Sequence, residues 1–291
     1  MQGVIIENIS NLYSVKSGKD IYKASARGKL KKDDLTPVVG DVVDFQIIDE
    51  QKNTAVIEKI HKRKMYIKRP KLSNLTQIIL VISIKHPKPD LLMLDKQLAF
   101  AELLKIKPII VINKIDLDTN NEAETIRSMY EKVGYTIIKT DTKNREGLDS
   151  LKSILVNNVS AFSGNSGVGK SSLINCLFEG NITPEGEVSA KNKKGKNTTT
   201  STKLYEIAEN SFIADTPGFS TFDIGEISYK DLEKCFIEFK RYTCEYVGCT
   251  HVKENECKIK EAVEQGKISK NRYNNYCKIY LELKDKEEHK W

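Results

Sequence analysis

A glycine-rich segment offers the most specific chemistry in the sequence. Residues 164–171 read GNSGVGKS, which fits the pattern G-x-x-x-x-G-K-[ST]. In this pattern the glycines let backbone N–H groups turn inward onto phosphates. The lysine reaches the β- and γ-phosphates, and the hydroxyl after it binds Mg²⁺. The apolar stretch VSAFS precedes the segment and SSLINCLF follows it, so the context is strand, loop, helix. We expect these residues to form the phosphate-binding loop: Gly164, Asn165, Ser166, Gly167, Val168, Gly169, Lys170, Ser171 and Ser172.

A second motif, NKID, follows the apolar strand KPIIVI and indicates which base is bound. The carboxylate of Asp116 can accept hydrogen bonds from both N1–H and the 2-amino group of guanine, a pair that adenine lacks. Lys114 can lay its stem along the base, with Ile115 beside it, and Asn113 can tie this loop to the phosphate loop. A pocket is expected at the carboxyl end of a parallel strand. The motif therefore predicts GTP or GDP as the ligand.

A third motif, DTPG at residues 215–218, follows the apolar stretch SFIA. Asp215 is placed to hold Mg²⁺ through water, and the N–H of Gly218 to contact a γ-phosphate. Between the phosphate loop and this motif lies the lysine-rich polar stretch from Asn181 to Lys203, which we expect to be a long loop. It contains Thr198 and Thr199, candidates for a switch threonine.

The order of the motifs is unusual, because NKID comes first, then GNSGVGKS, then TTT, then DTPG. In ordinary small GTPases the phosphate loop comes first and N-K-x-D near the end. The same sheet can be closed with its termini relocated, because termini that lie close together tolerate permutation. The order therefore predicts a circularly permuted nucleotide-binding domain.

Four potential metal ligands crowd together near the C-terminus: Cys244, Cys249, His251 and Cys257. Three thiolates and one imidazole complete a closed tetrahedral zinc site and leave no position open for substrate. The spacing thus predicts one structural Zn²⁺. The alternative is a set of reduced cysteines beside a surface histidine.

The elements that must position these residues differ along the chain. Five short β segments in the first sixty residues suggest a small closed barrel, OB-like as the first choice and SH3-like as the second. Near-continuous apolar strands alternating with helical stretches then predict a parallel α/β layer structure. Helices around the Cys/His cluster follow. We expect three domains: an OB-like β-barrel at 1–70, an α/β P-loop domain at 71–222, and a mainly helical zinc-binding domain at 223–291.

Charge is unevenly distributed in this chain of net charge +7. Residues 1–72 hold 15 Lys and Arg against 9 Asp and Glu. A basic barrel attracts phosphate backbones, which favours RNA binding. The alternative is a solvated face kept for solubility.

The composition, 39% apolar and 30% charged, is typical of a globular protein with a sizeable core. The longest apolar stretch is far shorter than the ~20 residues that span a bilayer. No signal peptide is evident at the N-terminus. We therefore expect a cytoplasmic protein without a membrane partner, and a monomer.

The motifs together resemble the RsgA (also YjeQ) family of circularly permuted GTPases that depend on the small ribosomal subunit. The resemblance covers nearly the whole chain and rests on RGK near residue 28, VVGD at 38–41, RP at 69–70, NKID, SGVGKSSLIN, GKNTTT, DTPGF and the spaced Cys/His cluster. It implies an OB-fold, a permuted GTPase domain and a zinc-binding domain. It also implies a late role in maturing the small ribosomal subunit, contact with its rRNA, and GTP hydrolysis stimulated by that subunit.

Two positions depart from what a GTPase mechanism would use. Phe219 follows DTPG where many GTPases carry a glutamine that orients the attacking water, and relatives in the resembled family also have an apolar residue there. Asn197 replaces the histidine of the family's usual switch segment, so no general base is assigned. Catalysis would rest on Lys170, on Mg²⁺ held by Ser171 and Asp215, and on Thr198 or Thr199.

Three other interpretations stay open at this point. A P-loop ATPase or kinase is opposed by NKID. An RNA-binding protein could use GTP mainly as a conformational switch. A permuted GTPase could also act on the large subunit instead of the small one.

Overall fold

A computed structural model describes residues 1–28, 36–68, 70–177, 202–215 and 227–289 of the chain. These residues form two compact units, each taken separately below. The first contains Met1–Ile78, Leu148–Ser163 and the described part of Lys170–Ser220. The second contains Ile79–Gly147, Gly164–Gly169 and the described part of Thr221–Trp291. The three domain boundaries expected from the sequence stay predictions.

The strands are β1 (Gln2–Ile9), β2 (Leu12–Ser17), β3 (Asp20–Ala26), β4 (Val42–Asp49), β5 (Thr54–Ile60), β6 (Tyr66–Ile67), β7 (Leu72–Ser73), β8 (Gln77–Ser83), β9 (Lys107–Asn113), β10 (Thr136–Thr140), β11 (Val159–Ser163), β12 (Lys203–Ala208) and β13 (Ser211–Asp215). The helices are α1 (Leu91–Leu103), α2 (Glu122–Val133), α3 (Leu148–Leu155), α4 (Lys170–Leu177), α5 (Leu232–Cys235), α6 (Lys258–Glu264) and α7 (Lys270–Glu288). None of the helices in the described ranges is long and apolar enough to cross a membrane.

The N-terminal strands close into the expected barrel. Antiparallel pairing joins β1 to β2, β2 to β3 and β5 to β4, while β3 and β5 run parallel and β4 returns to β1. Alternate residues of each strand point inward, with Ile5, Val15 and Phe45 almost fully buried. Closure leaves few free strand edges.

A buried aspartate anchors the segment that leaves the barrel. Asp41 is fully buried, and its carboxylate accepts hydrogen bonds from Arg63 Nε at 2.7 Å and from the hydroxyl of Ser73 at 2.7 Å. The backbone N–H of Val38 donates to its other oxygen at 2.8 Å. A buried carboxylate is stable only when paired in this way. The hydrogen bond from Arg63 to Asp41 also raises the pKa of Arg63.

The remaining strands of the first unit correct one expectation. β11 and β13 pair in parallel, as predicted for this region. β12, however, pairs antiparallel with β13 and also with β1. Lys203, expected at the end of the long polar loop, is the first residue of β12 instead. Its strand alternates buried Leu204 with less buried neighbours, a pattern that the lysine-rich stretch before it concealed.

The second unit contains the sheet β10-β9-β8, in which β9 and β10 are parallel. β8 and β9 are near-continuously apolar and mostly buried, as expected of strands covered on both faces. The C-terminal helices share a core with α1, since Ala99 and Phe100 belong to the same buried cluster as Phe236 and Tyr276. Tyr273, Tyr276 and Tyr280 therefore serve helix packing.

A buried ionic cluster lies in this second core. Arg272 of α7 donates to Asp95 of α1, and its Nη2 donates to Glu238 at 3.0 Å. All three side chains are at most 3% exposed. The hydroxyl of Tyr130 and the amide of Asn275 complete the shell of Asp95 at 3.0 and 2.7 Å. Burial raises the pKa of Asp95 to about 6, against the lowering effect of Arg272.

Candidate nucleotide and metal sites

The end of β9 carries the NKID loop and is joined directly to the phosphate loop. Asn113 is buried, and its Nδ2 donates to the carbonyl of Val168 at 2.9 Å. The hydroxyl of Thr140 donates to Asn113 Oδ1 at 3.0 Å and orients the amide. The tie from Asn113 to the phosphate loop predicted from the sequence is therefore present.

Lys114 is held in place by two backbone carbonyls. Its φ of +60° turns the chain sharply after β9, and its Nζ donates to the carbonyl of Gly167 at 2.6 Å. The carbonyl of His86, in the loop after β8, accepts a second hydrogen bond from it. The aliphatic stem thus lies between the two loops.

Asp116 and Ile115 lie in the short 3-10 turn Ile115–Leu117 that follows. The Oδ2 of Asp116 accepts from Nζ of Lys143 at 2.8 Å. Lys143 follows β10, and its backbone N–H is fixed by Asp141 Oδ1 at 2.8 Å. The segment Asp141–Lys143 therefore lies beside the NKID loop.

Two glycines of the phosphate loop are required by close packing. Gly164 has φ +143°, and a Cβ there would lie 2.1 Å from the carbonyl oxygen of Val81. Gly169 has φ +100°, and a Cβ there would lie 2.3 Å from Asn113 Nδ2. Any larger residue at Gly169 would therefore break the contact between the two loops.

The rest of the phosphate loop continues into α4. Ser166 and Gly167 are exposed, Val168 is buried, and Asn165 Nδ2 lies 3.5 Å from Asp90 Oδ2. Asp90 also caps α1 by accepting from the N–H of Met93 at 2.9 Å. Lys170 begins α4, with Ser171 and Ser172 exposed in its first turn. Burial lowers the pKa of Lys170.

The structure describes part of the predicted magnesium site. Ser171 stands in the first turn of α4, and the backbone of Asp215 ends β13. A hydroxyl and a carboxylate are hard oxygen ligands of the kind that Mg²⁺ prefers. Thr198, Thr199, Asn197, Gly218 and Phe219 lie outside the described residues.

The predicted zinc ligands come together as a compact cluster. The four ligand atoms of Cys244, Cys249, His251 and Cys257 all lie within 4.8 Å of one another. His251 Nδ1 lies 3.6, 3.4 and 3.4 Å from the sulfurs of Cys244, Cys249 and Cys257. In a zinc tetrahedron the nitrogen–sulfur distance is about 3.5 Å. The donor set and its spacing therefore fit Zn²⁺.

Neighbouring side chains orient the ligands of this cluster. His251 Nε2 lies 3.0 Å from Glu233 Oε2, an outer carboxylate that selects Nδ1 as the ligand atom. The hydroxyl of Tyr273 donates to the carbonyl of His251 at 2.8 Å, and that of Tyr276 to the carbonyl of Thr250 at 2.9 Å. The cluster is thus tied to α7.

Sequence reasoning missed Thr140, Glu233 and the pairing of Lys143 with Asp116. No spacing rule identifies Thr140 or Glu233, because each meets its partner only through the fold. A polar residue at the end of the strand after NKID was the available signal for Thr140.

Comparisons with known proteins agree with this arrangement. The RsgA N-terminal domain matches residues 2–57 and the RsgA GTPase family matches residues 60–225. The "Small ribosomal subunit biogenesis GTPase RsgA" of Ruminiclostridium cellulolyticum is 39% identical, over 99% of this chain and 95% of the relative. The protein of the same name from Clostridium acetobutylicum is 41% identical, over 95% of each chain.

Two solved structures are similar over almost the whole length. YjeQ from Thermotoga maritima superposes with a TM-score of 0.84 at 34% identity, covering 97% of this chain and 98% of that one. YloQ, described as a circularly permuted GTPase, gives a TM-score of 0.81 at 29% identity, covering 98% and 95%.

The NKID loop precedes the phosphate loop in the sequence and contacts it in the structure. Together with the N-terminal barrel, this arrangement defines a circularly permuted P-loop GTPase. The order of motifs and the relatives agree on this class. The chain belongs to the RsgA GTPase family.

Proposed function

We propose that this protein is a cytoplasmic GTP hydrolase that acts, as a monomer, in the late maturation of the small ribosomal subunit. The observation that carries the nucleotide part is the hydrogen bond from Asn113 to Val168, which joins the guanine motif to the phosphate loop. The ribosomal part is supported by the relatives, which are named for biogenesis of that subunit.

In this proposal the guanine base is recognised by Asp116 and covered on one face by Lys114. The position of Lys114 Nζ between the carbonyls of Gly167 and His86 supports that role. The phosphates would be held by the N–H groups of residues 164–172, from Gly164 to Ser172. Because Asn113, Lys114 and Gly169 contact one another's segments, the base and phosphate subsites are organised together.

Hydrolysis would depend on Lys170 and a switch threonine, Thr198 or Thr199, with Gly218 near the γ-phosphate. Bound Mg²⁺ would neutralise phosphate charge, and Ser171 and Asp215 would hold it. Burial lowers the pKa of Lys170, but a phosphate beside it would favour the charged ammonium. With Phe219 and Asn197 at the two positions that often orient water, unstimulated hydrolysis is expected to be slow.

The Cys/His cluster would hold one structural Zn²⁺, since the four donors complete its coordination. The basic barrel would contact rRNA. Arg27 marks its basic surface, although it pairs with Glu58 at 2.9 Å, an exposed pair that a phosphate could replace.

The test is GTP turnover by the full-length protein alone, with purified small subunits and with purified large subunits. We expect slow turnover alone and a clear increase with small subunits only. Lys170→Ala should abolish the stimulated rate. Stimulation by large subunits instead would reassign the partner. Binding of GTP without any turnover would leave the protein an RNA-binding switch, and a preference for ATP would remove the guanine assignment.

A further inference from the structure

One residue of β12, Lys203, pairs with both neighbouring strands, β1 and β13. Lys203 pairs with Glu7 of the barrel, which is the one register pair between β1 and β12 in the described residues. Across its other edge, Lys203 pairs with Asp215, the last residue of β13. Lys203 is therefore the middle member of a three-strand row that runs from the barrel to Asp215.

Asp215 has little other support from the sheet. The pairing of β11 with β13 runs from Val159 with Phe212 to Ala161 with Ala214, one residue short of Asp215. Within the described chain Lys203 is the one register partner of Asp215. The backbone position of Asp215 thus depends on where Lys203 lies.

Side chains fix Lys203 to the barrel. Its Nζ lies 3.0 Å from Glu7 Oε1, and the two side chains are 39% and 22% exposed. The hydroxyl of Ser14 lies 3.5 Å from the other oxygen of Glu7. A second ion pair crosses the same junction, with Lys16 Nζ 2.9 Å from Glu206 Oε2. Glu206, however, pairs with Phe212, in the part of β13 that β11 also supports.

We propose that Lys203 is a positioning residue for the magnesium site, which it serves by holding Asp215 in register through its ion pair with Glu7. The barrel thereby forms part of the support of the nucleotide site. A partner that shifts β1 would change the Mg²⁺ affinity of the GTP-bound protein, and bound Mg²⁺ would in turn stiffen β1. The inference rests on the proposed role of Asp215.

The experiment measures GTP affinity of the full-length protein over a series of Mg²⁺ concentrations and takes the half-saturating Mg²⁺ concentration as its readout. Lys203→Gln and Glu7→Gln should each raise this concentration by roughly two- to fivefold, the range for a partly exposed ion pair. The double variant should do no more than either single one, because both remove the same contact. Lys203→Arg should keep the wild-type value.

Glu206→Gln is the matched control, since it removes the neighbouring ion pair of the same junction. It should leave the half-saturating Mg²⁺ concentration unchanged. If Glu206→Gln and Lys203→Gln raise the half-saturating Mg²⁺ concentration equally, Lys203 has only a general packing role and the inference is wrong. A wild-type half-saturating Mg²⁺ concentration in Lys203→Gln would also overturn it. Absence of Mg²⁺-dependent GTP binding in the wild-type protein would instead remove the proposed function itself.

Discussion

The Cys/His cluster and the NKID loop both lie in the second unit, but they are assembled in opposite ways. The cluster draws its four ligands from fourteen consecutive residues, 244–257, and their donor atoms point at one shared centre. The NKID loop joins separate stretches of chain through hydrogen bonds such as those of Asn113 and Lys114. With the proposed Zn²⁺, the cluster depends on an ion at its centre, whereas the NKID loop is held by contacts of its own.

This difference teaches what each site loses when a part is removed. Three thiols and an imidazole have no strong attraction for one another without a metal, so removal of the proposed zinc should cost local folding. Removal of one proposed guanine contact leaves the hydrogen bonds to the carbonyls of Val168 and Gly167 in place. It should therefore lower the affinity for the nucleotide without loss of local folding. Four predictions test this contrast, from the largest expected effect to the smallest.

Removal of zinc should have the largest effect. Structural zinc contributes about 10 kcal/mol or more in small metal-dependent folds. Cys249→Ser, or a strong chelator, should therefore expose residues 244–291 to protease, while GTP binding to the isolated protein stays largely intact. Metal analysis should give one zinc per wild-type chain. If wild-type protein prepared without chelators carries no zinc, the assignment of a zinc site is wrong. If Cys249→Ser loses GTP binding, the contrast between the two sites is wrong.

Arg272→Met should be the most destabilising change outside the metal ligands. It leaves the carboxyl groups of Asp95 and Glu238 buried without their cation, which costs about 3–5 kcal/mol in the free energy of unfolding. Urea denaturation measures this. Arg127→Met, which removes an exposed pair with Glu131, is the control and should cost less than about 1 kcal/mol.

The pH dependence of the Arg272→Met variant supplies a second measurement. Burial already raises the pKa of Asp95 to about 6, and loss of Arg272 should raise it further. A carboxyl with a raised folded pKa binds its proton in the folded state, so stability increases as pH falls through that pKa. The loss in free energy of unfolding of Arg272→Met relative to wild type should therefore become smaller as the pH is lowered from 7 to 5. A constant deficit would mean that lost packing, not unpaired charge, is the cause.

Asp116→Asn should affect nucleotide choice and not stability. Hydrogen bonds to a charged group contribute about 1.5–3 kcal/mol, so GTP affinity should fall by roughly tenfold to a hundredfold. The affinity for xanthine nucleotides should rise, because their C2 oxygen accepts a hydrogen bond from the new amide. Thermal unfolding without nucleotide is the control and should be nearly unchanged. Unaltered GTP affinity would remove Asp116 from the base pocket.

Lys143→Ala should have the smallest effect. The side chain of Lys143 is 72% exposed, and its ion pair with Asp116 is of the kind that contributes about 0.2–1 kcal/mol. GTP affinity should change by less than about fivefold, as measured by titration. A larger loss would make Lys143 a direct part of the guanine site and give that site a third independent contact.

The features predictable from the sequence were those with local spacing. The glycines of the phosphate loop, NKID at the end of a strand and the Cys/His cluster each occupy a short stretch with fixed chemistry. The barrel strands followed from alternation of apolar and polar residues over five short segments. In all these cases neighbours in the sequence are also neighbours in the structure.

The features that escaped prediction join residues that are distant in sequence. Asp95, Glu238 and Arg272 look like ordinary charges of surface helices until α1 and α7 pack together. Lys203 looked like part of a polar loop, because its ion pair with Glu7 lies at the other end of the chain. Charged residues carry no pattern that tells a buried pair from a solvated one.

The pairing of β1 with β12 has a consequence for the order of folding. Almost all partners of β1 lie within the first fifty residues, so the barrel can close early in synthesis. Around Glu7 one edge of β1 already pairs with β2, but the opposite edge has to wait for β12, which is made much later, and until then the backbone groups of that edge face water. A nascent chain therefore exposes a strand edge that could pair with another chain, and completion of the GTPase sheet is the step that covers it.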